Sequence, residues 1–341
     1  MNSTSAGVTP RAEATGLWAL AWSRLRRDRL GMVAVLIVLI FAIVTMATGL
    51  GGLASDWSDE VGPGHAPPLT SRQAVQTGTM ATDAVPDPSN VVDPLADVMA
   101  EIAREKIATA DTAARSGVLL LGTDRWGRDV FKKVLRGTQT SMWVGLLAAT
   151  LAVVIGTAFG ALAGYYGGRM DDFFNWLYSV FTSIPYLLLI LAIAAVLNQK
   201  GTATVVLILG LTGWTGIFRL MRAEYMKHRV REYVRAAEAL GASHARRMFV
   251  HILPNLSHVV LVQLSLHAVS FMKSEVVLSF LGFGVGVEDV SWGSMLSEAQ
   301  GEILLGNWWQ LAAATAAMAL LVTAFSLMTD ALRDALDPRL K

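Results

Sequence analysis

No cysteine occurs in the 341 residues, which excludes disulfides, thiolate metal sites and cysteine nucleophiles. Charge is scarce as well: Asp, Glu, Lys and Arg make up 16% of the chain, where soluble domains carry about a quarter. There is no G-x-x-x-x-G-K-[ST] loop to cradle nucleotide phosphates, and no H-E-x-x-H pair, EF-hand loop or G-x-S-x-G elbow. The six histidines are scattered, no nucleophile, base and oxyanion set can be assembled, and no enzyme is expected. The formal charge of +1 conceals a segregation of basic residues into particular loops, so nucleic acid is not an expected partner.

Apolar residues are abundant instead, at 53% of the chain, which identifies an integral membrane protein. Residues 1–30 are polar and end in Arg24, Arg26, Arg27 and Arg29, a basic leader expected in the cytoplasm. Residues 31–50 form the first uncharged run of span length, and the long leader favours a retained anchor over a cleaved signal. Residues 51–137 form a long extracytoplasmic loop. Its Pro/Gly patches (Gly62-Pro63-Gly64, Pro67-Pro68, Pro86-Asp87-Pro88) are expected to be poorly ordered or flat on the outer face. A helical-looking piece follows from Pro94 to Arg115, punctuated by Val98, Ile102 and Ile107.

Residues 138–330 read as five further spans, near 140–165, 173–197, 202–220, 256–283 and 308–328, with a cytoplasmic tail at 331–341. The Gly and Ala residues of the second span predict close helix packing, and Pro185 predicts a kink in the third. Asn198 to Gly201 reads as a tight outer turn, and Asn255 or Ser257 as a cap for the fifth span. The outer loop 284–307 has four acidic residues and no Lys or Arg. Its Ser291–Glu302 part is expected to form a short surface helix before the interface anchors Trp308 and Trp309. The predicted fold class is all-α, a polytopic membrane protein with six transmembrane helices and both termini cytoplasmic.

The polar island 222–255 interrupts the greasy spans, and its Lys and Arg outnumber its Glu seven to three, which puts it in the cytoplasm. Such a loop can serve topology alone. Its interior suggests more: small helix formers around Arg235-Ala236-Ala237-Glu238-Ala239-Leu240 stop at Gly241, as at a C-terminal cap. A second helix is expected from Ser243 to Leu253, ended by Pro254. This exposed corner, with Leu240, Met248 and Phe249 as apolar anchors, suits docking to a soluble partner. Two other stretches stand out. Leu121 to Val130 is dense in charge and glycine and reads as an interfacial anchor around Trp126 or as a ligand site. The fifth span holds His267, Lys273 and Glu275, intramembrane groups that suggest a proton path, a water-filled cavity or a partner helix.

The island resembles the coupling loop of ABC importer membrane subunits: E-A-A, three residues, Gly, nine residues, Ile, one residue, Leu-Pro. Ala236, Ala237, Gly241, Leu253 and Pro254 match in register, while Arg235 stands at the Glu position and His251 at the Ile position. The ending His251-Ile252-Leu253-Pro254-Asn255 resembles the peptide-importer branch. So do Leu121 to Val130, Gly164-Tyr165-Tyr166-Gly167-Gly168, Leu278 to Gly284 with Ser291-Trp292-Gly293, and Leu332 to Arg339. The chain is thus similar to the C-type permease of a dipeptide/oligopeptide ABC importer of the bacterial inner membrane, with a type I importer fold. The stretch Pro63 to Gly117 looks longer than is usual there.

That resemblance implies a second homologous permease, two cytoplasmic ABC ATPases that bind ATP and Mg, and an extracytoplasmic substrate-binding protein. No cofactor is expected on this chain. It places ATPase coupling on Arg235, Ala236, Ala237, Leu240, Gly241, Ala242, Met248 and Pro254. It suggests an outer gate or binding-protein contact at Asp124, Arg125, Gly127, Arg128 and Trp292, and pore-lining roles for His267, Lys273 and Glu275. The alternatives are the same architecture carrying nickel or another small peptide-like solute, a proton-coupled secondary transporter, and a membrane scaffold without transport.

Overall fold

The computed structural model describes residues 25–71, 118–286 and 288–336. Its regular elements there are helices and one antiparallel ladder, β1 (Thr70–Ser71) against β2 (Val118–Leu119), with Thr70 opposite Leu119, joined by loops that carry two isolated bridges, Glu60 to Arg128 and Thr123 to Asp129. The all-α expectation therefore holds except for that two-residue pairing. Pro86-Asp87-Pro88 and the helix expected from Pro94 to Arg115 lie outside the described residues.

Helix α1 (Arg29–Gly49) begins where the Asp28 side chain accepts the Leu30 N–H. The central element is α2 (Val130–Tyr166), 37 residues and so about 55 Å long at the α-helical rise. It starts well before the expected Thr140, on an N-cap supplied by Asp129, which accepts from the Phe131 N–H. It packs along α1, along α5 (Thr202–Thr212) and α6 (Thr215–Arg229), and along α9 (Ser257–Phe280).

The closest approach is to α6, where Gly156, Gly160 and Gly164 recur at a spacing of four. A methyl group on Gly156 would sit 2.7 Å from Ile217 Cβ, on Gly160 2.7 Å from Met221 Cβ, and on Gly164 2.4 Å from the Arg222 carbonyl oxygen. The sequence expectation of close packing in this span is met, and these glycines carry it.

Two expected spans are broken. Helices α3 (Gly168–Thr182) and α4 (Tyr186–Leu197) meet at 82°, with Pro185 at the N-cap of α4. The expected kink inside one helix is thus a full break, because proline cannot continue the α3 hydrogen-bond ladder and presets the start of α4. Helices α5 and α6 are bent by 41° at Gly213 and Trp214. Asn198, in the left-handed conformation, and Gly201 make the expected tight turn between α4 and α5. Among the described residues, four helical stretches are long and apolar enough to span a bilayer singly, and up to six result if each bent pair counts as one.

Short α7 (Glu232–Ala239) and α8 (His244–Arg246) occupy the polar island. The second island helix does not end at Pro254. A π-helical stretch, Arg247–Ile252, and a 3₁₀ turn, Leu253–Leu256, carry the helical path directly into α9. Proline fits at the first turn of that 3₁₀ segment, where its missing N–H costs nothing. Neither expected cap operates: Asn255 donates back to the His251 carbonyl and Ser257 to the Pro254 carbonyl. The outer helix α10 (Trp292–Leu304) is present as expected, opened by a reciprocal Ser291/Ser294 capping box, and α11 (Trp309–Leu336) follows.

The first Pro/Gly patch is ordered, against the first of its two expected states. The His65 N–H donates to the Asp124 carbonyl and the Val61 N–H to the Gly127 carbonyl, while the Thr123 hydroxyl donates to the Pro63 carbonyl. These bonds satisfy backbone groups that a free loop would leave to water.

The glycine seam makes a direct prediction. Gly160→Leu forces α2 and α6 apart and lowers the thermal unfolding midpoint of the detergent-solubilised chain by several degrees, whereas Ala161→Gly costs far less. An unchanged midpoint for Gly160→Leu would contradict the seam.

Candidate functional site

On the island, α7 ends at Leu240 and Gly241 takes φ +80°, the left-handed conformation in which glycine has no steric penalty. The Gly241 N–H bonds to the Glu238 carbonyl and the Ala242 N–H to the Ala237 carbonyl, which closes the helix as a Schellman-type cap. Ser243 then caps α8 by accepting the Arg246 N–H. The expected corner therefore exists, and Leu240 stands on its tip, 89% exposed. Arg235 and Ala236 are exposed, Ala242 is half-buried, and Ala237 faces inward.

Met248 departs from its expected role. It is 1% exposed and packs in the main core with Ile252 and Leu256, and its carbonyl accepts from the Tyr225 hydroxyl at 3.4 Å. The helical path turns Met248 toward the spans and leaves Phe249 outward at 52% exposure. Pro254 is exposed at the foot of the corner and does not close it.

A polar brace that single-residue reading missed ties the corner to the inner end of α2. Arg247 donates to Glu238 Oε1 at 2.6 Å and to His244 Nδ1 at 3.1 Å, and the Tyr165 hydroxyl lies 3.1 Å from the same Nδ1. Arg247 can only donate, so His244 Nδ1 accepts and its proton sits on Nε2. Arg229 Nη1 donates to the Tyr165 carbonyl at 2.8 Å. Beside it, Arg222 grips Asp171 through two charge-assisted bonds of 2.5 and 2.6 Å, which fix the start of α3 to α6. Burial raises the Tyr233 pKa and keeps its hydroxyl protonated against His228 Nδ1 at 2.7 Å. Only the island's charge density pointed to this brace.

At the Asp129 end of α2, Asp124 is fully buried. Its Oδ1 accepts from the Trp126 and Arg128 N–H groups at 2.9 Å, and its Oδ2 pairs with Lys133 at 2.7 Å. Lys133 also pairs with Glu298 at 2.6 Å, which in turn accepts from Gln310. The Arg125 N–H donates to Glu302, and the Trp309 indole donates to the Thr123 carbonyl at 2.8 Å. Trp309 is therefore locked inside and only Trp308 is left as an exposed anchor.

Two more outer candidates prove to be internal. Trp292 is 1% exposed, donates to the Val134 carbonyl and meets Phe41 edge-on. Gly127 has φ +77°, and a Cβ there would lie 2.0 Å from the Gly62 carbonyl oxygen. Asp124, Gly127 and Trp292 are thus packed inside this layer of the protein. Arg125 and Arg128 do line an open cleft of about 480 Å³, with Trp57, Trp126, Lys200 and Glu298.

The three intramembrane polar residues are not brought together. Glu275 is fully buried and accepts from the hydroxyls of Ser141 at 2.9 Å and Ser279 at 2.6 Å. His267 is bonded through Nδ1 to the Gln263 carbonyl of its own helix, and Lys273 lies exposed on the other face of α9. Glu275 serves to join α2 to α9.

Comparison with known proteins identifies relatives over most of the chain. The family described as binding-protein-dependent transport system inner membrane component matches residues 156–341, and the N-terminal TM domain of oligopeptide transport permease C matches residues 16–60. The dipeptide transport system permease protein DppC of Bacillus subtilis (strain 168) is 37% identical over 220 residues, 64% of this chain and 68% of the relative. The oligopeptide transport system permease protein OppC of the same organism is 34% identical over 64% of this chain and 72% of its own length. The di/tripeptide transport system permease protein DppC of Pseudomonas aeruginosa (strain UCBPP-PA14) is 36% identical, covering 65% and 73%.

The outer lock makes two predictions. Lys133→Met strips the cation from a buried carboxylate and destabilises the fold by about 3–5 kcal/mol, read as a large fall in the unfolding midpoint. Glu302 has its pKa raised, chiefly by burial. Its folded state therefore binds a proton more tightly than the unfolded chain, and the burial penalty develops as pH rises through the raised value. Glu302→Gln should match or exceed the native midpoint at pH 8 and lose that advantage at pH 4.

Proposed function

The chain belongs to the family of binding-protein-dependent transport system inner membrane components, and we propose that it is the C-type permease subunit of an ATP-driven importer of di- or oligopeptides. In this reading each bent pair is one span, both termini face the cytoplasm, and the protein sits in the bacterial cytoplasmic membrane. It works with a second permease, two ABC ATPases that carry ATP and Mg, and an extracytoplasmic binding protein. It has no ATPase site of its own.

The observation that carries the reading is the island corner. Leu240 projects almost free from a helix end closed by the left-handed Gly241, while the Arg247, Glu238, His244 and Tyr165 brace fastens that corner to α2. An ATPase groove that engages Leu240 moves a rigid unit. Differential contact with the ATPases in their open and closed states then shifts the spans between inward-open and outward-open arrangements. Exposed Lys273 on α9 suits a wall of the translocation path, since an unpaired cation is costly against lipid.

A proton-coupled mechanism gains no support from Glu275 and His267, whose hydrogen bonds involve neither each other nor Lys273. The test is transport by the reconstituted complex. Space around a Cβ at Gly241 is open but the backbone is left-handed, so Gly241→Asp strains the cap by about 1–2 kcal/mol without a clash. The Gly241→Asp complex is expected to assemble and hydrolyse ATP while peptide uptake is lost. Normal uptake by that variant would remove the coupling argument, and uptake collapsing with an uncoupler while ATP is intact would favour the proton-coupled reading.

A further inference from the structure

Between the inner end of α2 and the island lies a cleft of about 330 Å³ lined by Tyr165, Arg229, Arg235, Glu238, His244 and Arg247 among others. Its charge is unbalanced: three guanidinium groups face one carboxylate. Arg229 is exposed and uses Nη1 on the Tyr165 carbonyl, its guanidinium passing over Gly167, where a Cβ would lie 3.6 Å away. Arg235 adds a cation at the position where the coupling-loop pattern has a glutamate.

Arg247 is the informative group. It is only 8% exposed, Glu238 and His244 occupy its two terminal nitrogens, and its buried Nε–H has no partner. A buried guanidinium N–H left unpaired is costly, and an arginine cluster open on one side matches the geometry of a phosphate.

We propose that this cleft binds a phosphate-bearing anion, held by Arg247, Arg229 and Arg235 with the Tyr165 and His244 edge as its wall. Basic pockets between helices on the cytoplasmic side are the usual seats of anionic lipid headgroups, and a free phosphate presents the same oxygens. The cleft joins α2, the end of α6, α7 and α8, so an occupant cross-links the corner to the spans and stiffens the connection. The proposal rests on the cytoplasmic placement of residues 222–255 given above, but its test needs neither ATPase nor substrate.

The full-length chain is purified in a maltoside micelle, which contains no phosphate. Retention of phosphatidylglycerol against phosphatidylcholine is followed by native mass spectrometry, and binding of radiolabelled inorganic phosphate by equilibrium dialysis. One anion per chain is expected, weakened about tenfold or more in Arg229→Gln with Arg235→Gln. Both residues are exposed, Arg229 gives up one bond to the Tyr165 carbonyl, and an unchanged unfolding midpoint verifies that the variant is folded. Arg247→Lys, which keeps the charge but removes the Nε–H, is expected to weaken binding as well. Selective loss of phosphatidylglycerol assigns a lipid headgroup, and selective loss of inorganic phosphate assigns a free anion. Retention of neither ligand by the native chain, or equal retention by the variants, would overturn the proposal.

Discussion

The backbone-to-backbone approach of α2 and α6 is the constraint on which the other contacts depend. Apolar surface alone does not distinguish one helix pairing from another within a bilayer, so association there relies on close packing. Gly156, Gly160 and Gly164 remove every side-chain atom from one stripe of α2 and let Ile217, Met221 and the Arg222 backbone settle into it. That registration sets Asp129 and Lys133 at one end of α2 and Tyr165 at the other. Each end then finds its polar partners without further adjustment.

Polar groups are accordingly concentrated at the two ends of the helical bundle. At the outer end Lys133 neutralises Asp124 and Glu298, and two indole N–H groups, from Trp292 and Trp309, satisfy backbone carbonyls. At the inner end Arg222 and Arg247 neutralise Asp171 and Glu238. In between, Glu275 is the one fully buried acidic side chain of α9, and hydroxyl donors stand in for a counter-ion. Such pairings define the arrangement of the helices more than they strengthen it, because desolvation offsets much of the Coulomb attraction.

Features governed by local backbone chemistry were legible in the sequence. The apolar runs, the Gly241 cap, the Ser243 and Ser291 starts and the Asn198 to Gly201 turn all follow from residue type and spacing. Features set by tertiary contact were not. Asp124, Gly127, Trp292 and Trp309 carry the composition of a membrane interface or binding site, yet Gly127, Trp292 and Trp309 are drawn inward by partners distant in the chain and Asp124 by Lys133, which is itself held by Glu298. Met248 has the spacing of a docking anchor, but its facing depends on a π-helical stretch that no local pattern announces. Pro185 marks an interruption, but residue type alone does not give its size of 82°. For the same reason the pairings of the Arg247 brace were not legible beyond the island's charge density, since its members lie on four separate elements.

The unbroken helical path from His244 to Phe280 sets where compliance can reside. A flexible hinge between the island and α9 would absorb a push at Leu240 as local bending. With a continuous rod, the same push becomes a torque about whatever grips the rod along its length. That fulcrum is Glu275, clasped to Ser141 of α2 and lying close to the outer end, where Gly293 of α10 leaves no room for a side chain against Val276 and Ser279. The long arm lies on the island side and the short arm on the α10 side. A displacement at Leu240 would therefore reach α10 reduced in amplitude.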